Sequence, residues 1–292
     1  MIEAQDQLRL SFRSWWPLLG GLVLILFASY VRFAHGLWAL PENDHAPIVV
    51  AIALFLFWMN RAAIAQARPP LKAWPAIMLL VVGLMLFLFG VRTRIASFES
   101  ASHLVLLGGA IWLAGGAGLL RRLWFPLLFL ALSIPIPTFL LSVATEGLKA
   151  EVTSLAVDIL YWMGYPIAHD GAVITMGNYR LLVAEACAGM NSIISLSAVG
   201  VLYLYLVQPP RIFQLVLSLA AIIPIAVAAN VLRIVILSLV TYFWGDEAGQ
   251  GFLHEFAGFA MFLFAVLILI AFTRFLGWLF AILSRSKADA VA

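Results

Sequence analysis

Between Ile212 and Leu232 the chain reads IFQLVLSLAAIIPIAVAANVL, a run of 21 residues without one charged side chain. A helix of this length is about 32 Å long, which matches the thickness of the hydrocarbon core of a bilayer. Arg211 and Arg233 stand directly at its two ends. The run therefore predicts a helix that crosses a membrane.

The composition of the whole chain agrees with this stretch. Of its 292 residues, 64% are hydrophobic and 11% are charged, whereas soluble domains carry about 25% charged residues. A single cysteine excludes an internal disulfide and a multi-cysteine metal site, and no His, Asp and Glu cluster has metal-ligand spacing. We expect no metal, no cofactor and no nucleic-acid partner, and we expect contact with membrane lipids.

Eight apolar runs are candidate spans, which predicts an all-α polytopic membrane protein with about eight transmembrane helices. Eleven of the 17 Lys and Arg residues fall on one side when these spans alternate, and this positive side is expected to be cytoplasmic. Both termini are then expected to be cytoplasmic. The predicted spans are Trp16–Val31, Ala46–Met59, Trp74–Val91, Leu104–Leu120, Leu123–Ile136, Cys187–Val207, Ile212–Leu232 and Leu253–Phe275.

Residues 138–186 do not fit a simple span and predict a small extracytoplasmic cap. Thr138–Met163 carries four charged residues, and its apolar residues recur at helical spacing, which predicts an amphipathic helix on the outer surface. Two short β-favouring runs flank Gly177 and Asn178, a pair typical of a two-residue hairpin turn. We therefore expect one membrane domain over residues 1–292 that carries this cap. The predicted apolar stripe is Leu148, Val152, Leu155, Ile159 and Trp162.

Three reactive residues reach the outer end of the predicted bundle. Cys187 begins one span, Arg233 ends the next, and His254 begins the last. The helix dipole at a helix start stabilises a thiolate, a histidine transfers protons near neutral pH, and an arginine holds an oxyanion or carboxylate. These are the parts of a cysteine acyl-transfer site. His35, His103 and His169 are expected to be surface residues of outer loops.

Four neighbours are predicted to support this site. Asn230 lies three residues before Arg233 on the same helix face, where its amide can orient the guanidinium. Gly258 lies one turn after His254 and permits a close backbone approach. Glu185 and Gly189 flank Cys187 in the segment AEACAG.

Other interpretations remain open on these residues alone. Cys187 can be a small apolar residue of a helix, and Arg233 can reach the aqueous interface without any function. A polytopic transporter or assembly subunit for an envelope polysaccharide would also carry charged residues in its spans. A membrane hydrolase that acts on lipids would use the same thiol. A transporter would keep its function when Cys187 is replaced, whereas either enzyme would lose its activity. A lipid product in place of a cut protein would distinguish the lipid hydrolase from the transpeptidase.

The chain resembles the exosortases and archaeosortases, which are membrane cysteine transpeptidases. The resemblance rests on AEACAG around Cys187, ANVLRI around Arg233 and HEFAG at His254, together with FPLLFLALSIPIP and GAVITMGNYRLLVAEAC. It extends from about Asn43 to Phe264, and the compact length is similar to that of the shorter exosortase branches, such as the B type. Ala188 and Asn191 depart from the family, in which a serine and a basic residue are common at these positions.

The resemblance implies an activity and a substrate. Cys187 would be the nucleophile, with Arg233 and His254 as its catalytic partners. The substrates would be exported proteins with a C-terminal sorting signal of the PEP-CTERM type, made of a short motif, a transmembrane helix and a basic tail. Cleavage would take place at the outer face of the cytoplasmic membrane and transfer the protein to an acceptor that is not identified. The bacterial members imply a link to exopolysaccharide and envelope biogenesis.

Overall fold

The computed structural model describes residues 2–40, 43–170, 173–177, 179–182, 189–207, 212–245 and 252–289. Only the backbone is described for residues 2–16, 138–145, 180–182, 189–193, 252–255 and 283–289. The helices of the described chain are α1 (Ile2–Ala34), α2 (Ala46–Met59), α3 (Arg61–Ala65), α4 (Trp74–Thr93), α5 (Ala96–Arg122), α6 (Trp124–Ala131), α7 (Thr138–Trp162), α8 (Gly189–Val207), α9 (Ile212–Trp244) and α10 (Phe252–Asp289). The strands are β1 (Ile167–Asp170), β2 (Val173–Met176) and β3 (Tyr179–Leu182).

The protein is mostly helical, and five of the described segments are long and apolar enough to cross a membrane. These are Pro17–Ala39, Trp74–Thr93, Ala96–Arg122, Ile212–Trp244 and Phe256–Ile282. Each predicted span overlaps a helix, but the count of eight is not confirmed. Helix α6 has 8 residues and α2 has 14, so they are about 12 and 21 Å long, shorter than the hydrocarbon core. Pro135 and Pro137 follow α6 and prevent its extension.

The contacts divide the chain into two compact units, Met1–Ile136 and Pro137–Ala292. In the first unit, α4 and α5 pack closely because glycines remove side chains from their interface. A methyl group at Gly83 would lie 2.8 Å from Leu106 Cγ, and one at Gly109 would lie 3.0 Å from Leu80 Cγ. The prediction of a single domain with a cap is not tested by this division and stays a prediction.

The second unit is built around α9, which runs without interruption for 33 residues past Pro224 and Arg233. It is about 50 Å long and exceeds the hydrocarbon core. The segment after Arg233 therefore continues the helix and does not turn back. Its apolar side chains pack under α7 and β2, in a cluster formed by Val152, Ala156, Val157, Leu160, Ile174, Val231, Ile234 and Val235.

Helix α7 is confirmed as a helix, and its buried face includes part of the predicted stripe. Its described side chains that pack inward are Val152, Thr153, Ala156, Val157 and Leu160. Leu155 and Ile159 are exposed, and Trp162 is 89% exposed. Of the predicted stripe, Val152 is buried and Leu148 packs against this cluster. Small residues on the neighbouring face, Thr153 and Ala156, also let α7 approach α9. The position of α7 on the outer surface of the membrane stays a prediction.

The sheet has three antiparallel strands in the order β1-β2-β3. Met176 pairs with Tyr179, which leaves the predicted two-residue turn between β2 and β3. Gly177 has φ 59° in this turn, a left-handed conformation that favours glycine, while Asn178 lies outside the described residues. Strand β1, which the sequence pattern did not predict, pairs with β2.

Candidate functional site

Arg233 lies in the interface between α9 and α10 and is 5% exposed. Its guanidinium packs against the backbone of Gly258 in α10. A methyl group at Gly258 would lie 3.3 Å from Cζ and 3.3 Å from Nη2 of Arg233. The absence of a side chain at Gly258 therefore makes the room in which the guanidinium lies.

Arg233, Asn230 and Gly258 line one small pocket that is partly open to its surroundings. Asn230 is 9% exposed and lies one helical turn before Arg233. The polar groups are gathered at one end, and the remaining wall is apolar. That wall consists of Leu196, Ala226, Ala229, Met261, Phe262 and Ala265.

Contacts between helices α8, α9 and α10 indicate which residues of the three helices lie at the same level along the bundle. A methyl group at Gly200 would lie 2.8 Å from Leu269 Cδ2 and 2.9 Å from Ile222 Cδ1, so these three residues lie at one level. Eleven residues make three helical turns, which return to the same face after a rise of about 16 Å. Counting eleven residues from this level leads to Gly189, Arg233 and Gly258 on the three helices. The contact between Arg233 and Gly258 agrees with this count.

The structure places the predicted site residues as follows. Arg233, Asn230 and Gly258 come together, and Gly189 is the first residue of α8. His254 is the third residue of α10 and lies one turn before Gly258, with only its backbone described. Cys187 and Glu185 lie outside the described residues, and their roles stay predictions.

The apolar wall of the pocket was not among the residues predicted for the site, although the sequence carries a signal for it. Ala226, Ala229 and Asn230 precede Arg233 at seven, four and three residues. On α10, Met261, Phe262 and Ala265 follow Gly258 at three, four and seven residues. This spacing places each set on one helix face, and the two faces meet at the pocket.

A second buried polar cluster lies in the first unit and corrects the prediction for His103. Its side chain is 1% exposed, and its ring lies 5.3 Å from that of Tyr30. One turn earlier on α5, Glu99 accepts a hydrogen bond from Arg32 of α1. His103 is not a surface residue of a loop, because it belongs to helix α5, which begins at Ala96. It lies on the buried face of that helix with Glu99 and Leu106. His35 and His169 are exposed, as predicted.

Within the described part of the chain, no three His, Cys, Asp or Glu side chains could hold a metal ion together. Searches of curated proteins and of solved structures found no match to the chain. A family model, that of the transmembrane exosortases, matches residues 37–271. The match includes the pocket of Arg233 and the positions of Cys187 and His254. The chain therefore belongs to the transmembrane exosortases, a family of membrane cysteine transpeptidases that act on exported proteins with C-terminal sorting signals.

Proposed function

We propose that this protein cuts sorting signals of the PEP-CTERM type at the outer face of the bacterial cytoplasmic membrane and transfers the exported protein to an acceptor. Cys187 is the nucleophile, Arg233 and His254 are its partners, and the reaction serves envelope and exopolysaccharide biogenesis. One observation carries the proposal: buried Arg233 packs against Gly258, one helical turn after His254 on α10.

The chemistry follows from these positions. The Cys187 thiolate attacks the carbonyl carbon of the scissile peptide bond, and the resulting oxyanion collapses to a thioester as the C–N bond breaks. His254 gives a proton to the departing amine, which carries the transmembrane helix and basic tail. His254 then takes a proton from the acceptor, an amine, a hydroxyl group or water, as the acceptor attacks the thioester.

Two roles are open to Arg233, and both need its charge. It stabilises the oxyanion, or it holds the carboxylate of the recognition motif. Burial strengthens either interaction, because few water molecules compete for the guanidinium in a site of low dielectric constant. Asn230 and Gly258 position the guanidinium, and the reaction needs neither a metal nor another cofactor.

The test uses membranes that contain this protein and a substrate with a Pro-Glu-Pro motif, a transmembrane helix and a basic tail. Intact mass spectrometry measures loss of the tail with the natural protein and with the Cys187→Ala variant. We expect tail loss with the natural protein alone, and the product mass will identify the acceptor. The Cys187→Ser variant is the matched control for the size of the side chain, and it should be at least about 100-fold slower because an alcohol is the weaker nucleophile.

Other outcomes would reject the proposal. Tail loss with both proteins would point to another protease. Retention of the tail with both proteins, in membranes where Cys187→Ala still supports polysaccharide export, would favour the transporter interpretation. A cleaved lipid in place of a cleaved protein would identify a lipid hydrolase.

A further inference from the structure

The pocket of Arg233 continues two helical turns away from the guanidinium. Its apolar wall follows α9 back to Ala226 and α10 forward to Ala265. Both alanines are buried, and both belong to the cluster that joins α8, α9 and α10. Seven residues separate Ala226 from Arg233, so the pocket extends about 10 Å from its charged end along the bundle.

The burial of the lining residues distinguishes a floor from a rim. Leu196, Ala226 and Ala265 are at most 4% exposed and form the floor. Ala229, Met261 and Phe262 are half-buried and form the rim. Any group held by Arg233 thus meets a small apolar recess one turn deeper, at the level of Ala229.

We propose that this recess is a specificity pocket for one apolar side chain of the substrate's membrane helix. This inference rests on the proposed function and names a feature that the enzyme reads in addition to the short motif. The side chain is the one that lies about one helical turn, or 6 Å, deeper in the membrane than the group held by Arg233. Ala229 and Met261 are the residues that determine its size.

Two observations favour an apolar side chain of a peptide as the occupant. The recess is lined by alanine, leucine, methionine and phenylalanine, which offer no hydrogen bonds from their side chains. It is also continuous with the end that holds Arg233, and a sorting signal joins a carboxylate to an apolar helix within a few residues. One chain can therefore occupy both ends of the pocket.

The test changes the size of one rim side chain and the size of one substrate side chain together. Ala229→Leu fills the recess, and Ala228→Leu is the matched control, because Ala228 is exposed on the same helix and does not line the pocket. Each variant is given substrates with Phe, Leu, Val, Ala or Gly at the first five positions of the membrane helix, changed one at a time, and the rate of tail loss is measured.

We expect Ala229→Leu to slow the Leu substrate by about 10- to 100-fold at one of these positions, since that side chain can no longer be buried. An Ala or Gly substrate at the same position should restore the rate, and Ala228→Leu should behave as the natural protein. Met261→Ala, which widens the rim, should shift the preference to Phe. This opposite change keeps the test decisive if Ala229→Leu lowers the yield of folded protein.

The inference would be overturned if Ala229→Leu and Ala228→Leu had equal rates of tail loss with every substrate. It would also be overturned if Ala229→Leu slowed tail loss by the same factor with every substrate. A parallel Cys187→Ala reaction distinguishes the two levels of failure. If tail loss depends on Cys187 but not on the rim, only the specificity pocket is rejected. If tail loss continues without Cys187, the proposed function and this inference fall together.

Discussion

Gly258 is the residue whose size bears most directly on Arg233. An added methyl group would lie 3.3 Å from the guanidinium, closer than an ordinary van der Waals contact. Arg233 would then have to shift by a few tenths of an ångström, and a longer side chain would occupy its place. The displacement of Arg233 should therefore increase with the size of the side chain that replaces Gly258.

The first prediction concerns this series. We expect Gly258→Ala to reduce the rate of sorting-signal cleavage several-fold and Gly258→Leu to reduce it by about 100-fold, the effect of moving a catalytic group by about 1 Å. Gly108→Ala is the control, because nothing lies within 4 Å of a methyl group at that helical glycine. A Gly258→Leu variant with full activity would show that the position of Arg233 is unimportant.

The second prediction distinguishes the two roles of Arg233. Arg233→Lys keeps the positive charge but removes the planar, bidentate guanidinium. If Arg233 stabilises the oxyanion, kcat should fall by about 100-fold or more, as it does when one oxyanion donor is removed. If it holds the motif's carboxylate, KM should rise and kcat should change little. Unchanged values of both constants would exclude both roles.

At the scale of elements, the β2–β3 hairpin joins the cap to the segment that contains Cys187. Leu182 ends β3 five residues before Cys187. The turn requires Gly177 for its backbone conformation, since φ is 59°, and not for space, since a methyl group there would lie 3.6 Å from Tyr242. A substitution should therefore act through backbone strain.

The third prediction tests this turn. Gly177→Val should destabilise the hairpin by about 1–2 kcal/mol, the cost of a left-handed conformation in an L residue, and Gly177→Asn should cost less because asparagine tolerates this region. Hydrogen exchange of the β2 and β3 amides measures the loss. Equal protection in both variants would contradict the strain argument.

The fourth prediction concerns Arg32 and Glu99, which join α1 to α5. The side chain of Glu99 is 8% exposed, whereas that of Arg32 is 50% exposed. Arg32→Ala leaves a buried carboxylate without its partner, and we expect it to cost about 1–3 kcal/mol, the penalty for a buried polar group that loses its hydrogen bond. Glu99→Gln leaves an arginine that water can reach, and should cost less.

Thermal unfolding in detergent measures both costs, and the Arg32→Ala, Glu99→Gln double variant is the control. It should be more stable than Arg32→Ala alone, because no charge then remains buried. If the double variant is the least stable of the three, the contact owes its strength to something other than charge.

At the scale of the whole molecule, the exposed surface of both units is apolar. Leu24, Phe27 and Met85 in the first unit and Phe259 in the second are each at least 66% exposed. A soluble protein rarely exposes apolar side chains over so large an area. Together with the family match, this surface identifies a multi-pass membrane protein that lipid surrounds.

The fifth prediction concerns which residues lie on each side of the membrane. In the Cys187→Ala background, a cysteine at Asp170 in the sheet should react with a membrane-impermeant thiol reagent added outside intact cells. A cysteine at Lys72, between α3 and α4, should react only after the membrane is opened. Both native residues are exposed. Labelling of the Lys72→Cys variant from outside would reverse the proposed orientation.

The sequence alone was enough to predict where three of the described helices begin, how the hairpin turns and to which family the chain belongs. Ala46–Met59 is both the predicted span and helix α2, and α4 and α9 begin at the predicted residues Trp74 and Ile212. These features are local: apolar runs, prolines and glycine turns act within about 20 residues of chain. The order of the three motifs likewise predicted that Arg233 and His254 belong to one end of the bundle.

Which helix faces meet became clear from the packing of the folded protein alone. Gly258 packs on Arg233, α7 buries the face of Ala156 and not that of Ile159, and His103 lies inside its unit. Each outcome depends on residues far apart in the chain, because an apolar helix in lipid has no single hydrophobic face that the sequence could mark. The closest approach of small residues selects the contact, and that choice is made when all the helices pack together.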